Sequence, residues 1–478
     1  MYNSLMFNSV AFLFCFLPLG LLLYYLVPGR AKNAVLLIES LLFFCWNGVR
    51  FLPLILVLIL VNYLAGILID RLIRGARFRK VLLIGAVALS LSALILFKYT
   101  NWLIDTINQL ASLDLAGLSF LTILPLGISY YTFKLISYVA DIYTGKIKAE
   151  RNLITFAAYV VMFPQLIVGP IVKYRDISEQ LHLTRNRCSL SQIQAGAEMF
   201  VFGLAKKVIL ADSLGALWTG VIGIWQGSVQ TTVGVGLANA STPLAWLGII
   251  AYSLQLYFDF AGYSEMSNGL SKMMGFDCPA NFNLPYVSAS ITEFWRRWHI
   301  TLSLWFRDYV YIPLGGNRKG LARQIFNMLI VWVLTGIWHG ANWNFICWGF
   351  YYFILLTIEK SFLLKHLQKG KIWPHIYTLF FVVLGWGIFT ANSAGAPLGL
   401  LMAKLFIPQG GVSALYFLRS YGVILLLGIL CSTPLPGRLW AWAKKHTPAR
   451  LVLLGAISIL SVAYVIAATN SAPLYANF

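Results

Sequence analysis

Thirteen apolar runs order this chain, at roughly 7–28, 33–48, 51–69, 81–98, 119–141, 153–171, 195–225, 242–260, 325–341, 343–359, 373–391, 418–434 and 450–469. About 20 apolar residues in a helix cross a hydrocarbon layer about 30 Å thick. Inside that layer every backbone N–H and C=O has to find its partner within the protein, which helices achieve segment by segment. The chain therefore reads as an all-α polytopic membrane protein. Charge agrees: Asp, Glu, Lys and Arg make up 11% of it, against about 25% in a soluble domain. That deficit excludes a soluble globular enzyme, a disordered chain and a secreted scaffold. Sixteen Trp fit anchoring at the membrane–water interface. The run 153–171 holds Pro164, Gly169 and Pro170 and reads as broken or re-entrant. Runs 325–341 and 343–359 have almost no loop between them and read as a tight helical hairpin.

The net charge of +20 would point to nucleic acid in a soluble protein. Here the cations sit in short loops between apolar runs, where they face anionic membrane lipid and fix orientation, and no nucleic-acid partner is expected. The basic loops 70–80, 146–151, 360–371 and 438–450 are expected on the cytoplasmic side, with both termini outside. No Lys or Arg precedes Arg30, and the run Phe7 to Val27 is too long for a signal-peptide core, so it reads as a retained membrane helix. The six cysteines form no C-x-x-C pair and read as buried free thiols, with no disulfide frame or zinc site. No acidic residue follows Glu359, so no carboxylate-based site is expected in the last quarter. G-x-S-x-G, H-E-x-x-H, Walker and G-x-G-x-x-G patterns are absent, which leaves a serine hydrolase and a P-loop pump unsupported. With no Cys/His cluster, no metal is expected.

The stretch 271–324 breaks the pattern: charged, aromatic-rich, and expected to be cytoplasmic or interfacial. Wound as a helix over 293–308, it places Trp295, Trp298, His299, Leu302, Trp305 and Phe306 on one face and Glu293, Arg297, Leu304 and Asp308 opposite. The spacing predicts an interfacial helix with Trp298 and His299 turned inward and Arg297 and Asp308 turned to water or headgroups. His299 is either a hydrogen-bonded core histidine or a catalytic contact. His339 lies fifteen residues beyond a helix start near Gln324, about 22 Å along the axis at about 1.5 Å per residue. An ionisable group at that depth marks a functional site, the alternative being interhelical hydrogen bonding. Thr335, Gly336 and Gly340 leave space beside it. Asp259 and Glu265 are expected to pair with Arg296, Arg297 or Lys272 as a structural ion network.

Five stretches carry a family resemblance: LPLGISYYTFKLISYVADIY (124–143), FPQLIVGPIVKYRDI (163–177), residues 252–286, FWRRWHITLSLWFRDYVYIPLGGNR (294–318) and GIWHGANWNFICWG (336–349). The chain resembles the membrane-bound O-acyltransferase superfamily, in particular its bacterial alginate O-acetyltransferase branch, from residue 7 to about 360. The resemblance implies a ring of tilted helices with re-entrant and interfacial helices around a thin centre, a single membrane domain over 1–478 whose helices beyond 360 are less clearly family-like. It implies an acyl donor on the cytoplasmic face, acyl-CoA or an acyl carrier, and an extracytoplasmic esterase-like partner that places the acyl group on a polysaccharide or peptidoglycan hydroxyl. His339 matches the family's active-site histidine and His299 its second histidine position. A bacterial inner-membrane location follows.

Acyl transfer from a thioester to an alcohol needs a base for the hydroxyl and donors for the developing oxyanion. A neutral His339 in a dry site is such a base, with Trp338, Asn342 and Trp343 as nearby donors. Trp298 with the basic Arg296, Arg297 and Arg307 is the expected donor-binding set, for acetyl-CoA or another acyl thioester, with no bound cofactor. D-alanyl transfer to teichoic acid is the second reading, and a transporter or flippase of an envelope precursor the third. The third lacks the internal repeat that such folds carry.

Overall fold

The computed structural model describes residues 5–71, 75–117, 123–183, 188–226, 229–232, 234–391, 397–467 and 473–474. In chain order its helices are α1 (Leu17–Leu26), α2 (Lys32–Gly48), α3 (Leu52–Arg71), α4 (Ala76–Ala111), α5 (Ile128–Tyr143), α6 (Leu153–Val161), α7 (Tyr174–His182), α8 (Leu190–Ala205), α9 (Asp212–Ile222), α10 (Thr242–Met273), α11 (Ile291–Arg297), α12 (Ile300–Phe306), α13 (Leu321–His339), α14 (Trp343–Ile358), α15 (Leu364–Leu367), α16 (Trp373–Thr390), α17 (Leu398–Phe406), α18 (Ala414–Cys431), α19 (Leu435–Ala443) and α20 (Thr447–Ala467). One short antiparallel ribbon, β1 (Ile224–Gln226) with β2 (Val229–Thr232), is the exception to an all-α polytopic membrane protein.

Among the described residues, eight helical stretches are long and apolar enough to cross a membrane. The thirteen runs reach that number because two join and four fall short, run 7–28 forming only the shorter helix Phe12–Leu26. Runs 33–48 and 51–69 join through Val49–Phe51 into one 43-residue stretch. Run 195–225 is divided by a π turn, Lys206–Ala211, where charged Lys206, Lys207 and Asp212 enter the helix. Run 153–171 ends as an α-helix at Val161, takes a 3-10 turn at Phe163–Gln165 and continues through buried irregular backbone, broken as its prolines predict. Part of run 119–141 lies outside the described residues, and from Ile128 onward it forms α5.

Helix α10 runs through the core, and glycines bring α8 against it. A Cβ on Gly196 would lie 2.6 Å from Gly269 O, and one on Gly203 would lie 2.6 Å from Gly262 O. Small residues permit this approach where apolar surroundings offer helices no hydrophobic drive to associate. The expected hairpin is present: a Cβ on Gly336 of α13 would lie 2.4 Å from Phe345 O of α14, and one on Gly349 would lie 2.4 Å from Trp332 O.

The ion network around α10 has other partners than expected. Lys207 reaches Asp259 at 2.6 Å and Asp212 at 2.7 Å. Glu265 pairs with Lys206, and Lys272 with Asp277. Arg296 and Arg297 take no part, because they sit on α11 in a separate segment. The basic loops 70–80 and 146–151 share one face of the molecule, since Arg151 pairs with Asp70 at 2.6 Å. All six cysteines are free, but they are not buried: Cys15 and Cys347 are exposed and the others partly so. A thiol on an outward apolar face needs no core.

Candidate active site

Helix α11 begins where acceptors meet its first N–H groups. Ser290 Oγ accepts from Glu293 N at 3.0 Å. The buried Glu359 carboxylate accepts from Ile291 N at 2.7 Å and Thr292 N at 2.8 Å. The first N–H groups of a helix lack internal partners, and its dipole favours an anion there. Glu359, the last acidic residue of the sequence, thus fixes the entry of the segment that carries His299.

The helix expected over 293–308 is broken. α11 stops at Arg297, Trp298 is extended (φ −101°, ψ 130°), and His299 is left-handed (φ 42°, ψ 53°) before α12 begins. Left-handed backbone is uncommon for a residue with a Cβ, though His is among those that tolerate it. The groups freed by the break are met by one neighbouring stretch. Asn283 N donates to Arg297 O at 2.9 Å, and Ile300 N donates to Asn281 O at 2.9 Å. Burial follows the expected face all the same: Trp298 and His299 are each 1% exposed. α12 then seats on α5 through Trp305, whose ring stacks on Phe133 at 3.9 Å and whose Nε1 donates to Phe133 O at 3.0 Å.

Asp308 is a second correction, because it does not face water. Its side chain is 8% exposed and accepts from Lys173 and Arg175, each at 2.7 Å. Two cations brought from α7 and its N-terminal edge hold it inside. Burial pushes the Asp308 carboxyl up, but hydrogen bonds from Lys173 and Arg307 outweigh this and hold it at about 2. Arg297 is partly exposed and pairs with Glu293 at 2.8 Å.

His299 and His339 line one cavity of about 180 Å³, walled by Trp295, Arg296, Trp298 and Phe306 on one side and Val331, Trp332 and Thr335 of α13 on the other. Trp338 neighbours both imidazoles, 5.9 Å from His299 and 4.9 Å from His339 by ring centroids, but is not one of the residues that line the cavity. Its buried Nε1 has no hydrogen-bond partner among the described residues. The expected donor-binding set divides: Arg296 and Trp298 line the cavity, whereas Arg297 and Arg307 do not. Arg307 is mostly exposed and pairs with Asp308. Of the donors expected beside His339, only Trp338 is in place. Asn342 caps α14, its Oδ1 accepting from Asn344 N, the half-exposed Trp343 packs on Trp102 at 5.3 Å, and neither lines the cavity. Both lie beyond Gly340, where the chain leaves α13 and turns away.

His339 is 3% exposed and is the last residue of α13. The helix begins at Leu321, three residues earlier than expected, so His339 lies about 27 Å along it. The end of α13 is gripped by α4. Lys98 Nζ donates to Trp338 O, and Tyr99 OH donates to Ile337 O at 2.6 Å. Lys98, Asn281 and Glu359 are the supporting residues that sequence reasoning left unassigned. Lys98 did carry a signal, a cation at the end of an apolar run.

The chain matches the family model for MBOAT, the membrane-bound O-acyltransferase family, over residues 146–398. It is 42% identical over 394 residues to "Probable alginate O-acetylase AlgI" of Pseudomonas putida, covering 81% of this chain and 78% of that protein. It is 33% identical over 444 residues to the peptidoglycan O-acetyltransferase of Helicobacter pylori, covering 86% and 81%. With the teichoic acid D-alanyltransferase of Bacillus subtilis it shares 31% identity over 285 residues, covering 56% and 69%.

Proposed function

The chain belongs to the membrane-bound O-acyltransferase family, and from that premise we propose that it passes an acetyl group from a cytoplasmic thioester, acetyl-CoA or an acyl carrier, across the bacterial inner membrane. An extracytoplasmic esterase-like partner then sets the group on a hydroxyl of an envelope polysaccharide, alginate-like or peptidoglycan. The enzyme class, an O-acyltransferase, and its multi-pass membrane location come with the family and the eight apolar spans. The acetyl group and the polysaccharide acceptor rest on the names of the relatives similar over most of the chain. D-alanyl transfer to teichoic acid stands second, because that similarity covers a shorter part of the chain.

One observation carries the mechanism: two buried imidazoles, 299 and 339, share a cavity, and the Trp338 indole packs beside both. His339 takes the proton of the hydroxyl that first receives the group, one carried by the extracytoplasmic partner, as its oxygen attacks the thioester carbonyl carbon. Trp338 Nε1 donates to the oxyanion. The C–S bond then breaks, and the departing thiolate takes the proton back from the imidazolium. His299 positions substrate, and Arg296 draws the anionic donor to the cavity mouth. General-base catalysis contributes about 10²–10⁴-fold. In vesicles reconstituted with the partner protein and acetyl-CoA, His339→Ala is expected to insert normally and lose at least about 100-fold in acyl transfer. Near-normal transfer by a correctly inserted His339→Ala protein moves the chemistry elsewhere, with His299 next.

A further inference from the structure

We propose that Asn281 is a positioning residue that fixes the tautomer of His299 and leaves its Nε2 as a proton acceptor on the cavity. The proposal rests on the reading that His299 works in the acyl-transfer site. Asn281 is 2% exposed and joins three segments that are distant in sequence. Its amide orientation follows from two partners whose roles are fixed by chemistry. The backbone N–H of Thr301 only donates, and it meets Asn281 Oδ1 at 3.4 Å. The carbonyl of Gly169 only accepts, and it meets Asn281 Nδ2 at 3.4 Å.

The remaining bonds agree with that orientation. Asn281 Nδ2 donates to Ser264 Oγ of α10 at 3.1 Å. Thr301 Oγ1 accepts from Ile171 N at 2.9 Å and gives its own hydrogen to Asn281 Oδ1 at 2.8 Å. Oδ1 is therefore the acceptor that faces His299, and His299 Nδ1, at 3.0 Å, has to donate to it. A neutral imidazole carries one N–H. With that hydrogen on Nδ1, Nε2 holds a bare lone pair. Nε2 is buried with no hydrogen-bond partner among the described residues, and its ring lines the cavity shared with His339. His299 then accepts a substrate hydrogen and does not donate to the oxyanion. The left-handed backbone at His299 serves the same end, because the Asn281 carbonyl that meets Ile300 N sits on the residue that holds the ring.

The test is solid-state NMR of the full chain, labelled with ¹⁵N-histidine in bilayers, with His299 assigned by the signal lost in His299→Gln. The expected result is the Nδ1–H tautomer at His299 in the unaltered protein. Asn281→Asp keeps the acceptor and retains that tautomer; Asn281→Leu loses it. Acyl transfer by Asn281→Leu is expected to fall at least about 10-fold in kcat with KM for the donor little changed, the low end for removing the group that orients a working histidine. Asn281→Asp restores most of it. An Nε2–H tautomer at His299 in the unaltered protein overturns the proposal, as does an unchanged tautomer in Asn281→Leu. If Asn281→Leu does not fold, the unaltered protein and Asn281→Asp decide. Full activity of His299→Gln would instead remove His299 from the reaction while the tautomer result stands on its own.

Discussion

Lys98 Nζ lies 2.5 Å from the carbonyl oxygen of Trp338, the residue before His339. The last carbonyls of a helix have no partner within it, and α13 ends at His339. Lys98 and the adjacent Tyr99 close that end from α4, and Lys98 also sits 5.6 Å from the centroid of the Trp338 ring. The histidine and the indole donor are thus held by a helix more than two hundred residues earlier in the chain.

Lys98→Met should leave a buried carbonyl without its Nζ donor, at a cost of about 1–3 kcal/mol. The variant is expected to insert, to melt at lower temperature in detergent, and to lose acyl transfer more than its melting point explains. Lys98→Arg, which keeps a donor, should recover part of both. A Lys98→Met protein with unchanged melting and unchanged transfer would separate this contact from the site.

His299→Ala should impair transfer less than His339→Ala. The ranking follows from the roles assigned: one imidazole holds substrate, while the other takes the reacting proton. It is checked by measuring ester content of the acceptor polymer for both variants at matched membrane levels. The reverse ranking exchanges the two roles.

Gly336→Ala should destabilise the α13–α14 hairpin. The added Cβ would meet the Phe345 carbonyl oxygen at 2.4 Å, and backbone has no rotamer to yield. Overpacking of this kind costs about 1–3 kcal/mol. The check is thermal unfolding in detergent. Gly455→Ala, where nothing lies within 4 Å of the new Cβ, serves as the control and should leave the melting point in place. Equal melting points for both variants would count against a close-packed hairpin.

The spans were legible because length and apolarity are local properties, and the 325–359 hairpin because two runs met with no loop. The inward face of Trp298 and His299 was legible for the same reason: spacing by three and four survives a two-residue break. The break itself was not, because it depends on Asn281 and Asn283 being at hand to take the freed backbone groups. Asp308 read as a water-facing charge because Lys173 and Arg175, which turn it inward, lie 135 and 133 residues away. Asn342 and Trp343 looked close to His339 by sequence distance, but Gly340 ends the helix and sends them elsewhere. Depth and chemistry singled out both histidines; only the fold brings them to one cavity.

Loops 70–80 and 146–151 should label from the same side of the membrane, because Asp70 and Arg151 form an ion pair at 2.6 Å. By their basic residues that side is expected to be the cytoplasmic one. A cysteine introduced into either loop of a protein freed of its native thiols should resist an impermeant reagent in intact cells and react after permeabilisation. Labelling of one loop but not the other in intact cells would break the shared face, and labelling of both would invert the orientation.

The Asp308 cluster should make stability depend on acid pH in a defined window. Lys173, Arg175 and Arg307 face the carboxylate, and Asp141 lies behind Arg175 at 3.6 Å. Asp308 has a folded-state value of about 2, below the ordinary Asp value of about 3.9 expected when unfolded. A depressed carboxyl contributes stability that is complete above the unfolded value and is lost as pH falls through the folded one. The contribution should therefore be whole above about pH 5 and decline between about pH 4 and pH 2. Lys173→Met removes the leading hydrogen bond that opposes burial, so the carboxyl rises toward its unfolded value, and the acid loss becomes smaller and is complete at higher pH. Arg175 and Arg307 remain, so the shift is partial. Melting temperature against pH in detergent reads both curves. Asp308→Asn should flatten this part of the profile, and a profile as steep as that of the unaltered protein would assign the acid sensitivity to other carboxylates.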